Sequence, residues 1–123
     1  MHRDVRAGNV LIVINGTAKL TNFDLSRFLK DKTKKRQHDL EHIRYRAPEL
    51  LNDYDQKIKY DHRCEVYSFG ILLWEIAEAR IPYQNYDDFV ILAEDICEKN
   101  HRESFSEHSE IPENFKKLAI DGM

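Results

Sequence analysis

Cysteine is scarce in these 123 residues: Cys64 and Cys97 stand far apart, with no C-x-x-C pair. That pattern suits reduced thiols rather than a disulfide framework. Zinc-ligand spacing is missing too, because His62, two residues before Cys64, is joined by no second ligand pair and the six histidines are scattered. Long hydrophobic runs are also lacking. The apolar stretch Ile71–Ile76 is too short to cross a bilayer, and Trp74 is followed at once by Glu75. The residues after Met1 show neither the charged n-region nor the apolar h-region of a secretory signal, so a cytoplasmic chain without a membrane partner is the default expectation. Neither sign of charge prevails: 19 Lys and Arg stand against 22 Asp and Glu, a net charge of -3. No electrostatic footprint for a nucleic acid is visible. Repeats, low-complexity tracts and internal domain boundaries are likewise absent, and 41% apolar residues suffice for one compact core.

What is present begins with a β-branched run, Val10–Ile14, that stops at Asn15-Gly16 and resumes at Thr17–Thr21. This predicts a β-hairpin with a type I′ turn, for which Asn-Gly supplies the positive φ values. Lys30–Arg36 then carries five positive charges and one negative, and is expected to be a solvated loop. From Cys64 to Glu78 apolar residues fall on every helical face, which predicts a buried central helix capped by Asp61 and prevented from continuing by Pro82. A second helix is expected over Asp87–Lys99 with Phe89, Val90, Ala93, Ile96 and Cys97 as its inner stripe. A third begins near Pro112. A short hairpin followed by helices makes an α+β, mostly α unit.

Chemistry is carried by three motifs in fixed order. His2-Arg3-Asp4-Val5-Arg6-Ala7-Gly8-Asn9 matches H-R-D-x-x-x-x-N, Asn22-Phe23-Asp24 follows the second strand, and Ala47-Pro48-Glu49 closes the next loop. Glu65–Ile76 and Ile81-Pro82-Tyr83 add to the series. Together they resemble the C-terminal lobe of a protein kinase domain, of the tyrosine-kinase or tyrosine-kinase-like group, over essentially the whole chain. The resemblance implies ATP-dependent phosphorylation of Ser, Thr or Tyr hydroxyls in a protein substrate, with ATP and Mg2+ as cofactors. It makes Asp4 the catalytic base, Arg6 a companion at the transferring phosphate, and Asn9 and the residue at position 22 magnesium ligands. Leu11 would lie beneath the adenine ring. Arg3 would grip a phosphorylated activation loop, in which Thr33 is a candidate phosphosite set inside an otherwise ordinary solvated charge run. His2, Phe23, Glu49 and Glu65 would be structural.

Departures from the pattern cluster at the metal. Asn22 stands where D-F-G has a carboxylate, and an amide lacks the charge that offsets dehydrating magnesium. Asp24 stands where a glycine gives conformational freedom, so its Cβ is expected to restrict the loop. His42 replaces a Thr or Pro and cannot supply the hydroxyl that family members direct at the Asp, while Glu65 replaces an Asp but keeps an acceptor. The region His42–Arg46 fits neither the serine/threonine nor the tyrosine pattern of substrate selection. Nothing in the chain resembles the Gly-rich loop, the β3 Lys or the αC Glu, so residues 1–123 are expected to be a partial kinase domain without its N-lobe and final helix, with Glu49 deprived of a buried arginine partner. Three readings follow: a kinase-domain fragment with weak or lost activity, a pseudokinase module that binds or regulates a partner protein, and a truncated product without independent function.

Overall fold

The β-branched residues flanking Asn15-Gly16 do form a hairpin. In the computed structural model, which describes residues 1–26, 40–52, 59–107 and 109–123, β1 (Val10–Ile12) pairs antiparallel with β2 (Ala18–Leu20), Val10 opposite Leu20 and Leu11 opposite Lys19. The strands are shorter than the sequence suggests, and the turn is not type I′. Only Gly16 takes a positive φ, of 79°. Val13 N–H donates to the Thr17 carbonyl at 3.0 Å and Gly16 N–H to the Val13 carbonyl at 2.8 Å, which defines a three-residue connection with Gly16 as its left-handed residue. Asn15 contributes through its side chain instead, its Oδ1 accepting Thr17 N–H at 3.0 Å.

Five helices follow among the described residues: α1 (Leu40–Ile43), α2 (Pro48–Leu51), α3 (His62–Glu78), α4 (Phe89–Glu98) and α5 (Glu113–Gly122). The expected α+β, mostly helical architecture of a kinase-like C-lobe is what the chain adopts. Asp61 caps α3 as expected, accepting Arg63 N–H at 2.8 Å, and Ala79 ends the helix in the left-handed region. Asp88 caps α4, and Pro112 leads into α5.

The core gathers Ile43, Tyr45, Leu50, Cys64, Tyr67, Ile71, Tyr83, Leu92 and Ile96. Two expectations about its helices need correction. α3 is not buried all round: Val66, Phe69 and Ile76 are exposed, because α1, α2, α4 and α5 cover only part of its circumference. In α4 the inner residues are Leu92 and Ile96, with Ala93 and Cys97 half-buried, whereas Phe89 and Val90 in the first turn are exposed beyond the core. Trp74 is buried and donates its indole N–H to the Ser104 carbonyl at 3.1 Å.

α3 and α5 cross with almost no space between their backbones. A Cβ built on Gly70 would lie 2.9 Å from the Ala119 carbonyl oxygen and 3.0 Å from backbone atoms of Gly122 and Met123. Glycine is required at this crossing by proximity, not by dihedral angle. Arg102 ties off the same end of the molecule, donating from Nε to the Met123 carbonyl at 3.0 Å and from Nη1 to the Ile96 carbonyl at 3.1 Å, with its guanidinium over the Tyr67 ring. The basic run Lys30–Arg36, Thr33 included, lies outside the described residues.

Candidate functional site

Two 3-10 turns, Ala7–Asn9 and Phe23–Leu25, bracket the hairpin and lay the His2–Asn9 loop against residues Thr21–Ser26. His2 is buried between them. Its Nε2 lies 2.7 Å from the Thr21 carbonyl and its Nδ1 accepts Asp4 N–H at 3.3 Å, a pair of partners that fixes which nitrogen carries the proton. The ring also meets Phe23 edge-on at 4.8 Å. Phe23 is otherwise exposed, as is Leu11 at 55%. His2 and Phe23 thus form a two-ring stack, and Leu11 presents an open apolar surface on β1.

Arg3 has φ 73°, an uncommon conformation for a side chain of its size. Its N–H donates to Glu65 Oε1 of α3 at 2.7 Å, so the longest buried helix holds the loop in this strained form. The guanidinium lies over the Tyr60 ring, 5.4 Å from its centroid, and its Nε is buried without a hydrogen-bond partner.

Asp4 is buried, and its carboxylate is surrounded by donors. Arg6 Nε reaches Oδ1 at 3.2 Å and Oδ2 at 3.3 Å, Asn9 Nδ2 donates to Oδ2 at 2.6 Å and to the Asp4 carbonyl at 2.7 Å, and His42 Nε2 stands 3.7 Å from Oδ1. His42 supplies no hydroxyl, as expected, but its imidazole reaches from α1 to the neighbourhood of the Asp4 carboxylate. Arg6 Nη1 bonds Glu41, a residue the motifs do not flag, although an acidic residue beside His42 in one short turn was a readable signal. Burial works against the charge on Arg6, but Asp4 and Glu41 overcome it and hold the guanidinium above its ordinary pKa. It stays charged.

Asn22 and Asn9 are brought together. Asn9 Nδ2 is committed to Asp4, so its Oδ1 faces outward and accepts from Asn22 Nδ2 at 3.3 Å. Thr21 adds N–H and Oγ1 bonds to the Asn9 carbonyl at 2.8 and 3.1 Å. The left-handed residue of this segment is Asn22, at φ 61° and ψ 69°, a region that asparagine tolerates better than most. Asp24 lies in the 3-10 turn with no positive φ, so its Cβ imposes no strain in this conformation.

Glu49 also differs from expectation. It is exposed, with the buried Cys64 thiol 3.5 Å from its Oε1, so it is not the buried carboxylate that was expected. Burial, with Glu49 nearby, pushes the Cys64 thiol up to about 11. Tyr45, within the His42–Arg46 region expected to select substrate, is buried; it donates to Glu75, and burial followed by that bond raises its pKa.

The model of the protein tyrosine and serine/threonine kinase family matches residues 1–119. The chain belongs to that family. Among its kinase relatives, a probable LIM domain-containing serine/threonine-protein kinase of Dictyostelium discoideum is 40% identical over 91 residues, 74% of this chain and 13% of the relative. A probable serine/threonine-protein kinase of the same organism is 34% identical over 87 residues, 71% of this chain and 9% of its own length. MAP kinase kinase mkk-4 of Caenorhabditis elegans is 39% identical over 87 residues, 71% of this chain and 23% of that protein. The chain thus spans under a quarter of each of these kinases.

Members of this family use ATP and Mg2+ and act on proteins. Asn9 and Asn22, which the resemblance makes magnesium ligands, offer two neutral amides bonded to each other. Among the described residues no group of three or more His, Cys, Asp or Glu converges on a common point. A hard divalent cation needs oxygen ligands with charge to offset its dehydration, and this donor set does not fit it. No helix among the described residues is long and apolar enough to cross a membrane.

Proposed function

We propose that this chain is the C-lobe portion of a cytoplasmic serine/threonine-directed kinase domain whose phosphoryl transfer is weak or lost, and which acts mainly by binding or regulating a partner protein in signalling. The observation that carries the reading is Asn22, an amide in place of a carboxylate, bonded to Asn9. The names of the relatives support serine and threonine as the ancestral acceptors, and Glu65–Ile76 supports a tyrosine-kinase-like origin.

The roles assigned to the site follow from its chemistry. Asp4 would accept the proton of a substrate hydroxyl as that oxygen takes the phosphoryl group, and Arg6 would offset charge on the transferring phosphate. ATP, when bound, supplies the phosphoryl group, with Leu11 against its adenine. Arg3, with its unbonded Nε, is suited to an activation-loop phosphate such as one on Thr33. In the present arrangement Arg6 and Asn9 already donate to both Asp4 oxygens, so a hydroxyl would share the carboxylate with a charged guanidinium.

Transfer of radiolabelled phosphate from ATP to a generic protein substrate tests the reading. Incorporation equal to, or barely above, that of Asp4→Ala is expected; strong incorporation that Asp4→Ala abolishes overturns it. An active kinase is the second reading, favoured by the buried Asp4, its Asn9 bond and the Glu65 anchor.

A further inference from the structure

Thr21 and Asn22 are fastened to one residue by three hydrogen bonds. The Thr21 N–H and hydroxyl both reach the Asn9 carbonyl, and the Asn22 amide reaches Asn9 Oδ1. Asn9 cannot turn away, because it is buried and its Nδ2 is shared between the Asp4 carbonyl and carboxylate. The side-chain oxygen left over can point only toward Asn22.

From this geometry we propose that the Asn9–Asn22 amide pair is a clasp joining the His2–Asn9 loop to the Asn22–Leu25 turn independently of any divalent cation. An aspartate at position 22 would bring a second carboxylate within one asparagine side chain of Asp4, a concentration of negative charge that calls for a cation between the loops. Asparagine makes the connection with a neutral donor and acceptor, and Arg6 already pairs with the Asp4 carboxylate. The left-handed backbone of Asn22 supports the same reading, since it aims the short amide at Asn9 in a conformation asparagine adopts readily. A cation entering here would have to break the amide pair and gain no carboxylate from either member.

The inference deepens the reading of a weak or inactive kinase and rests on it for its functional meaning. Its test is separate. Manganese, whose paramagnetism broadens nearby resonances, is titrated into the whole chain while the side-chain amide of Asn9 and the backbone amide of Thr21 are followed by NMR. In the wild type these signals broaden no more than those of exposed carboxylate neighbours. In Asn22→Asp they broaden selectively, with manganese bound at least about tenfold more tightly. Selective broadening at Asn9 in the wild type overturns the clasp, and so does an Asn22→Asp chain that stays silent. Should Asn22→Asp not fold, hydrogen exchange of Thr21 N–H in the wild type decides: equal rates with and without millimolar magnesium are expected, and slowing by magnesium refutes the proposal. Phosphate transfer by a wild type that remains silent to manganese would sink the weak-kinase reading and leave the clasp standing.

Discussion

Replacing Gly70 with alanine sets two opposed effects against each other. In the middle of α3 alanine is the better helix former, by about 1 kcal/mol. Against that, its Cβ would sit 2.9 Å from the Ala119 carbonyl oxygen and 3.0 Å from atoms of Gly122 and Met123, all of them backbone. No rotamer change relieves such contacts, so α5 must move as a unit. Overpacking of this kind costs roughly 1–3 kcal/mol, and here it falls toward the upper part of that range because the displaced element is a whole helix. The net expectation is a destabilisation of about 1–2 kcal/mol, equivalent to a fall in Tm of about 5 °C for a chain of this size. Urea unfolding followed through the single tryptophan, Trp74, which is buried on the same helix, reads the change directly. Gly122→Ala should be milder, since its nearest contacts are 3.1 Å to the Val66 oxygen and 3.2 Å to the Gly70 Cα. The double variant should cost less than the sum, because one outward shift of α5 accommodates both methyl groups. If Gly70→Ala raises the unfolding midpoint with an unchanged m value, helix propensity has won and the account of the crossing is wrong.

Glu65→Ala removes the acceptor that holds Arg3 N–H in its left-handed conformation, and should lower stability by about 1–2 kcal/mol and speed hydrogen exchange at Arg3. Glu65→Gln keeps an acceptor of the same length, so exchange close to the Ala variant's would argue that the bond does not hold the loop. The Asp61 carboxyl is held below its ordinary range by the Arg63 N–H it caps. Because its folded value is depressed, the contribution is complete above the unfolded value of about 3.9 and disappears as pH falls through the folded one. The Tm difference between wild type and Asp61→Asn, which caps without titrating, should therefore shift against the wild type on acidification below about pH 4; a difference constant with pH would contradict this.

The legible features were those governed by local chemistry. Asp61 and Pro112 announced helix starts, and the ordered motifs singled out Asp4, Asn9 and Asn22, which the fold brings together. What remained hidden depended on neighbours distant in sequence. The Asn15-Gly16 turn took the longer form through Asn15's side-chain bond to Thr17, a competition that composition does not reveal. The sides of α3 and α4 that stay exposed depend on where α1, α2 and α5 are placed, and an apolar residue such as Phe69 reads alike whether or not a helix covers it. Glu41 on Arg6 and Cys64 beside Glu49 are contacts across 35 and 15 residues, and only a folded chain shows them.

The fate of Asp4 follows from where charge is left in the site. With a carboxylate at position 22, two negative groups would compete for cations, and Arg6 could not serve both. With Asn22 no carboxylate is added at that position, and Arg6 lies across both Asp4 oxygens while reaching outward to Glu41. His42 adds a further nitrogen at 3.7 Å. Hydrogen bonds from Arg6 and Asn9 hold Asp4 in its buried position. Shifting Arg6 means separating its charge from two carboxylates that together hold it protonated against the effect of burial. Under the proposed reading the amide at Asn22 adds no charge to the site, and Arg6 keeps Asp4 and Glu41 as its partners.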